Sequence, residues 1–261
     1  MLLALDVGNT EIVVGLFGDP ADSPEPLDHW RLSCDPERTS DELALVLAQA
    51  LAMRGLGLTT DISGVAMCAG VPRVASAVRA LTARYLGCAP VVIEPGTRTG
   101  VPVLYENPRE VGADRIANAV GALDRFDPPL VVVDFGTATT LDAISARGEY
   151  LGGAIVPGVE IALDALYSRA ALLRRVELVE PRHAIGRSTE QSIQSGALFG
   201  TAALVDGMVE RMAAELDDPT VVATGGLGDL VAPYCRRVEH VDPWLTLRGL
   251  RVVFDRNRPA S

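Results

Sequence analysis

Two stretches of the chain, 128 residues apart, carry the same pattern, and that repeat constrains the architecture more than any other feature. LLALDVGNTEIVVGLF begins at Leu2 and LVVVDFGTATTLDAIS begins at Leu130. Aligned, Asp6 meets Asp134, Gly8 meets Gly136 and Asn9 meets Thr137. Each copy reads as an apolar strand, an aspartate at its end, a turn of small residues and a second strand. Two copies of one hairpin imply two domains of related α/β fold. The chain would split near 121–128, where Pro128 and Pro129 act as punctuation, giving expected domains 1–122 and 123–261. A length of 261 residues with 48% hydrophobic content accommodates two such cores.

Between the copies the periodicity alternates. Residues 41–54 read as an amphipathic helix, with Leu43, Leu47 and Leu51 at i, i+4 and i+8. Strands are expected at 62–69 and 89–95, and a helix over 73–86 after Pro72. In the second half, IALDALYSR is helical and 188–216 is a long helix, capped by Ser188 or Thr189 with Glu190 in its first turn. Residues 220–231 read as strand, glycine turn and helix, and 245–254 as a closing helix despite Val252 and Val253.

Composition removes several function classes. The net charge is −11, both halves are acidic, and all 23 basic residues are Arg. A chain without lysine has no P-loop, no protein-kinase strand lysine and no Schiff base. The acidic balance and the lack of a basic run argue against nucleic acid as a partner. No apolar run approaches the roughly 20 residues of a membrane helix, and the N-terminus carries no basic segment of a secretion signal. Cys34, Cys68, Cys88 and Cys235 show no CxxC spacing, so a reduced, cytoplasmic setting is expected.

A strand buried on both faces is apolar along its length, and its end opens toward the place where ligands of α/β folds sit. A carboxylate there, twice, suits a cation that neutralises phosphate oxygens. Gly8 permits close backbone approach to a phosphate, and Asn9 and Thr10 add side-chain donors. The bland alternative is an ordinary tight turn, where Asp, Gly, Asn and Thr are common. Gly112, Ala113, Asp114 and Arg115 stand at the entry to a helix. Asp114 reads either as a helix cap or as the base that accepts a hydroxyl proton in phosphoryl transfer. Arg115 reads either as a surface ion pair with Glu110 or Asp124, or as a bidentate partner for a substrate carboxylate. Asp142 has no counterpart in the first copy and reads as solvated. His29, His183 and His240 have no common spacing and read as structural.

DVGNT (6–10), GADR (112–115), DFGTATT (134–140) and GEYLGGAIVPGV (148–159) together resemble the type III pantothenate kinases of the acetate kinase–Hsp70–actin superfamily. RTGVP (98–102) and STEQSIQSG (188–196) fit as well, so the resemblance runs over nearly the whole chain. It implies two ribonuclease H-like, actin-like ATPase domains in tandem with an interdomain cleft. It also implies ATP-dependent phosphorylation of pantothenate, the first step toward coenzyme A. Asp6, Val7, Gly8, Asn9, Thr10, Glu11, Ile12 and Val13 would surround the ATP phosphates, with Asp6 near Mg²⁺, and Thr137 would contact ATP. Asp134 would bind the monovalent cation, potassium or ammonium. Asp114 would be the proton acceptor, and Tyr105, Gly112, Ala113, Arg115 and Thr189 would line the pantothenate site. Thr189 would come from the neighbouring subunit of a homodimer, whose seam would include the small Gly196, Gly200 and Ala203. The rival readings are another small-molecule kinase of the superfamily, a non-catalytic regulator of the same fold, and an ATP-switched chaperone or filament protein. The last has no room for a substrate-binding domain.

Overall fold

In the computed structural model, which describes residues 1–18, 23–170 and 173–258, the repeat is realised as two five-stranded sheets of one topology. The chain divides into two compact units. The first is Met1–Val101, Glu106–Arg125 and 244–258; the second is Pro102–Tyr105 and Phe126–Pro243.

In the first unit, β1 (Leu2–Val7) pairs antiparallel with β2 (Glu11–Phe17), which pairs with the edge strand β3 (Asp28–Ser33). The other side of β1 runs parallel to β4 (Gly64–Ala69), and β4 to the short β5 (Val91–Val92), giving the order β3-β2-β1-β4-β5. Leu3, Leu5 and Val7 face a core shared with Leu43 and Leu47 of α1 (Ser40–Ala52) and Val74 and Val78 of α3 (Pro72–Leu81). The short α2 (Leu58–Asp61) lies between those two helices in sequence. A capping box starts α1: the Glu42 N–H donates to Thr39 Oγ1 at 3.2 Å, and the Thr39 N–H donates to Glu42 Oε2 at 2.8 Å. Helix α4 (Ala113–Arg125) completes the sequence of this unit up to the crossing.

The second unit repeats the plan. Strand β6 (Leu130–Phe135) pairs antiparallel with β7 (Ala138–Ile144), and β7 with β8 (Tyr150–Pro157). On its other side β6 runs parallel to β9 (Thr220–Thr224), and β9 to β10 (His240–Val241). The helices are α5 (Val159–Arg169), α6 (Thr189–Ala213) and α7 (Gly228–Val231). Val131, Val133 and Phe135 pack with Leu198, Ala202, Val205 and Val209 along one side of α6. Strand after strand, the order matches that of the first unit, as the aligned hairpins require.

The last helix, α8 (Leu245–Asn257), belongs to the first unit, where it packs on α4, β1 and β4. Leu2 and Ala4, on the face of β1 opposite Leu3 and Leu5, are thereby covered. The units therefore differ from the expected 1–122 and 123–261: the C-terminal helix returns, and 102–105 is exchanged. The long-range packing of α8 overrides the weak helix propensity of Val252 and Val253. Glycines let α4 and α8 approach closely. A Cβ at Gly249 would collide with the Ala117 carbonyl, and one at Gly121 with the Leu245 carbonyl. Gly249→Ala is expected to cost about 1–3 kcal/mol, the usual range for overpacking. Urea unfolding measures it, and an unchanged midpoint would contradict so close a crossing.

Among the described residues, no helix is long and apolar enough to cross a membrane.

Candidate active site

The two aspartates occupy the same place in the two sheets. Asp6 pairs in register with Val13 and Cys68; Asp134 pairs with Thr140 and Thr224. Each is half-buried at the last turn before a glycine. The Gly8 N–H donates to the Glu11 carbonyl at 3.0 Å, and the Gly136 N–H donates to the Ala138 carbonyl at 3.2 Å. These bonds close the hairpins and leave Asn9 and Thr10 exposed in the first turn. Val7 and Ile12 are buried core members, and only their backbone is available to a ligand. Glu11 is exposed and paired with Arg31 at 2.9 Å.

Asp6 is held by a residue the sequence did not single out. Cys68, buried in the adjacent strand, donates its thiol to Asp6 Oδ1 at 3.2 Å. Burial pushes the Asp6 carboxyl up to about 6; the Cys68 hydrogen bond opposes this, the Asp114 charge adds to it and Arg31 opposes it. Burial and the charges of Asp6 and Asp114 hold the Cys68 thiol well above its ordinary value, so it remains a donor. The parallel register of β1 and β4 sets this contact across 62 residues of sequence, which local spacing cannot reveal.

Asp114 lies in the first turn of α4, exposed, and is not the cap residue. Its Oδ1 accepts its neighbour's N–H, that of Arg115, at 2.9 Å and hangs over Gly112, where a Cβ would collide with it. Asp6 and Asp114, 108 positions apart in sequence, thus sit in one unit and feel each other's charge. Arg115 is only 6% exposed, so its guanidinium lies buried rather than on the surface.

In the second unit, Asp134 lies against Gly225, whose φ of +92° and position over the Phe135 backbone exclude a side chain. Thr137 is exposed in the β6–β7 turn, and its carbonyl accepts the Gly158 N–H at 3.2 Å. Tyr105 is half-buried with its ring on Gly152. Ser188, not Thr189, caps α6, accepting the Gln191 N–H at 3.2 Å. Thr189 instead lines an apolar groove of about 490 Å³ together with Leu163, Leu166, Ile193 and Ala197.

Asp142 overturns the solvated reading. It is fully buried, with Tyr150 Oη donating to Oδ1 at 2.7 Å and Thr140 Oγ1 donating to Oδ2 at 3.2 Å. The tyrosine that satisfies it is eight residues on and across a strand pair, so nothing adjacent to Asp142 signalled its burial.

A family model described as Type III pantothenate kinase matches residues 2–211. A type III pantothenate kinase of Streptomyces griseus is 51% identical, the alignment covering 98% of each chain. One from Moorella thermoacetica is 49% identical, covering 98% of this chain and all of the relative. Among solved structures, the activator of the 2-hydroxyisocaproyl-CoA dehydratase from Clostridium difficile, with bound ADPNP, superposes with a TM-score of 0.59 at 14% identity, covering 98% of this chain and 94% of that one. The ethanolamine utilization protein EutJ from Carboxydothermus hydrogenoformans gives 0.56 at 15% identity, covering 96% and 89%. At such identities these structures speak for the fold alone, that of two α/β domains in tandem.

Proposed function

The chain belongs to the type III pantothenate kinase family, and from that premise we propose how its residues divide the work of phosphorylating pantothenate with ATP, the step that leads toward coenzyme A. Asp114 accepts the proton of the primary hydroxyl of pantothenate as that oxygen attacks the γ-phosphorus of ATP. The bond from the γ-phosphorus to the β,γ-bridging oxygen breaks, leaving ADP and 4′-phosphopantothenate. Asn9, Thr10 and the backbone of Asp6–Val13 hold the phosphates, and Thr137 contacts ATP. Tyr105, Gly112, Ala113, Arg115 and Thr189 bind pantothenate, with the Arg115 guanidinium on its carboxylate. Most of the rate gain then comes from positioning and charge stabilisation. The observation that carries the base assignment is the exposed carboxylate of Asp114 electrostatically coupled to the half-buried Asp6 within one unit.

Asp6 suits Mg²⁺: it is a half-buried carboxylate whose ionisation is disfavoured until a cation neutralises it. Among the described residues, no group of three or more His, Cys, Asp or Glu side chains gathers for a metal. Mg²⁺ in phosphoryl-transfer sites is usually held by one or two carboxylates, water and substrate phosphates. Asp134, at a strand end against the backbone of Phe135 and Gly225, offers the hard oxygen donors that potassium or ammonium takes. When bound, the cations offset charge on the phosphates.

A coupled assay with pantothenate, ATP and Mg²⁺, with and without potassium, tests the reading. Turnover on pantothenate that needs potassium, and none on a panel of sugars and simple carboxylates, is the expected result. Turnover on a sugar instead would favour another superfamily kinase.

We also propose a cytoplasmic homodimer seated on α6. Gly196 and Gly200 are exposed with open space above them, beside the partly exposed Leu204 and the groove that reaches Thr189. Gly200→Glu is expected to give a monomer with a pantothenate KM raised about tenfold and more. Sedimentation and kinetics check it; a dimeric variant with normal KM would remove α6 from the interface.

A further inference from the structure

We infer that Gly152, backed by the buried Tyr150–Asp142 pair, is the seat that positions Tyr105 and so sets the fit of the pantothenate-binding wall. This rests on the reading of Tyr105 as a pantothenate contact.

The seat is built from the backbone outward. Residues 102–105 run beside the start of β8: the Leu104 N–H donates to the Tyr150 carbonyl and the Tyr150 N–H donates to the Pro102 carbonyl, each at 2.8 Å. Val103 forms a parallel bridge to Tyr150. These bonds fix the height at which the next side chain, Tyr105, reaches the sheet. It lands on Gly152, where β8 carries an irregularity: Ala143 pairs with Gly152, yet the next residue, Ile144, pairs with Tyr150. An extra residue in one strand bends it and re-aims what sits there. Gly152 has φ +131°, a conformation that L side chains rarely adopt. A Cβ at 152 would lie 3.2 Å from Tyr105 Cε2 and 3.3 Å from Cδ2, so the ring would have to move by a few tenths of an ångström.

The second wall of the seat is Tyr150. Its ring centroid lies 6.4 Å from that of Tyr105, tilted by 54°, within the range of favourable aromatic pairs. Tyr150 is fully buried and cannot turn without breaking its 2.7 Å bond to Asp142, itself fixed by Thr140. A buried carboxylate satisfied in this way holds the Tyr150 ring rigidly behind Tyr105, whose own ring stays partly exposed for a ligand. Gly152, Tyr150 and Asp142 are positioning residues: none of them needs to touch the substrate.

The test is a kinetic double-mutant cycle. Gly152→Ala is expected to raise the pantothenate KM about tenfold while leaving the ATP KM within about twofold. Tyr150→Phe, which adds no atom and keeps the ring, should raise it about fivefold, and it carries the test if Gly152→Ala fails to fold. In a Tyr105→Ala background both substitutions should add less than about twofold, because the ring they position is gone. Equal effects on both substrates, or undiminished effects without Tyr105, would overturn the inference while leaving Tyr105 as a contact. An unchanged pantothenate KM for Tyr105→Ala alone would overturn the reading of Tyr105 and the inference with it.

Discussion

Replacing Asp114 with Asn is expected to lower kcat by about 10² or more while ATP binding stays within a few fold, the signature of a lost general base. Asn keeps the size of the side chain and one acceptor oxygen, so the Arg115 N–H retains its partner and the first turn of α4 keeps its shape. The residue is exposed, and an isosteric change there should alter stability by no more than about 0.5 kcal/mol. What Asn cannot do is take up a proton. Loss of kcat without loss of fold or ATP affinity would therefore report chemistry. The same substitution has a second readout, because the Asp114 charge helps to raise the Asp6 carboxyl. Removing that charge should bring the Asp6 titration downward, which carboxyl NMR can follow in the ligand-free protein. Turnover near the wild-type rate would end the assignment of Asp114 as the base.

Much of this site was legible because the informative residues lie in short runs. The hairpins 2–17 and 130–145 give strand, turn and strand in one reading, and the equal sheet orders β3-β2-β1-β4-β5 and β8-β7-β6-β9-β10 repeat one pattern twice. Leu43, Leu47 and Leu51 gave α1 from periodicity alone, and all three are buried. The misses have separate physical causes. Edge strand β3 alternates half-buried with exposed residues and carries a weak apolar signal, so no strand was expected there. Strand β5 is only two residues long, Val91–Val92, although the Ile93 N–H beyond it still donates to the Met67 carbonyl of β4 at 3.0 Å. Cys68 against Asp6, Tyr150 against Asp142 and α8 on α4 are contacts between distant or cross-strand positions. Composition and spacing within a window cannot register them. Asp142 is the sharpest case: a lone carboxylate in a strand is read as solvated until its donor is found.

Replacing Asp6 with Asn should abolish most of the activity, by about 10² or more if it helps to offset phosphate charge, and yet stabilise the ligand-free protein at alkaline pH. The sign follows from the raised carboxyl of Asp6, at about 6 in the folded chain. The folded state holds this proton more tightly than the unfolded chain does. The favourable contribution is complete below the ordinary carboxylate range and is lost as pH rises through about 6. At pH 8 the ligand-free wild type carries the whole cost of an ionised, half-buried carboxylate facing Asp114; Asn carries none. A shift of this size corresponds to about 1–3 kcal/mol once partial solvation is allowed for. Cys68 can still donate to Asn Oδ1, so the substitution leaves no buried donor stranded. Chemical denaturation with EDTA present should give curves that run together below about pH 3.5 and separate between about pH 4 and 6.5, that is, between the ordinary carboxylate value and the raised value of about 6. Adding Mg²⁺ and ATP should narrow the gap, because a bound cation favours the ionised wild type and offers little to Asn. A pH-independent difference, or a variant less stable at pH 8, would show that Asp6 is seated for the fold. The expected crossing, more stable and inactive, would show that the carboxylate is kept at a cost to the fold because the phosphate site needs its charge.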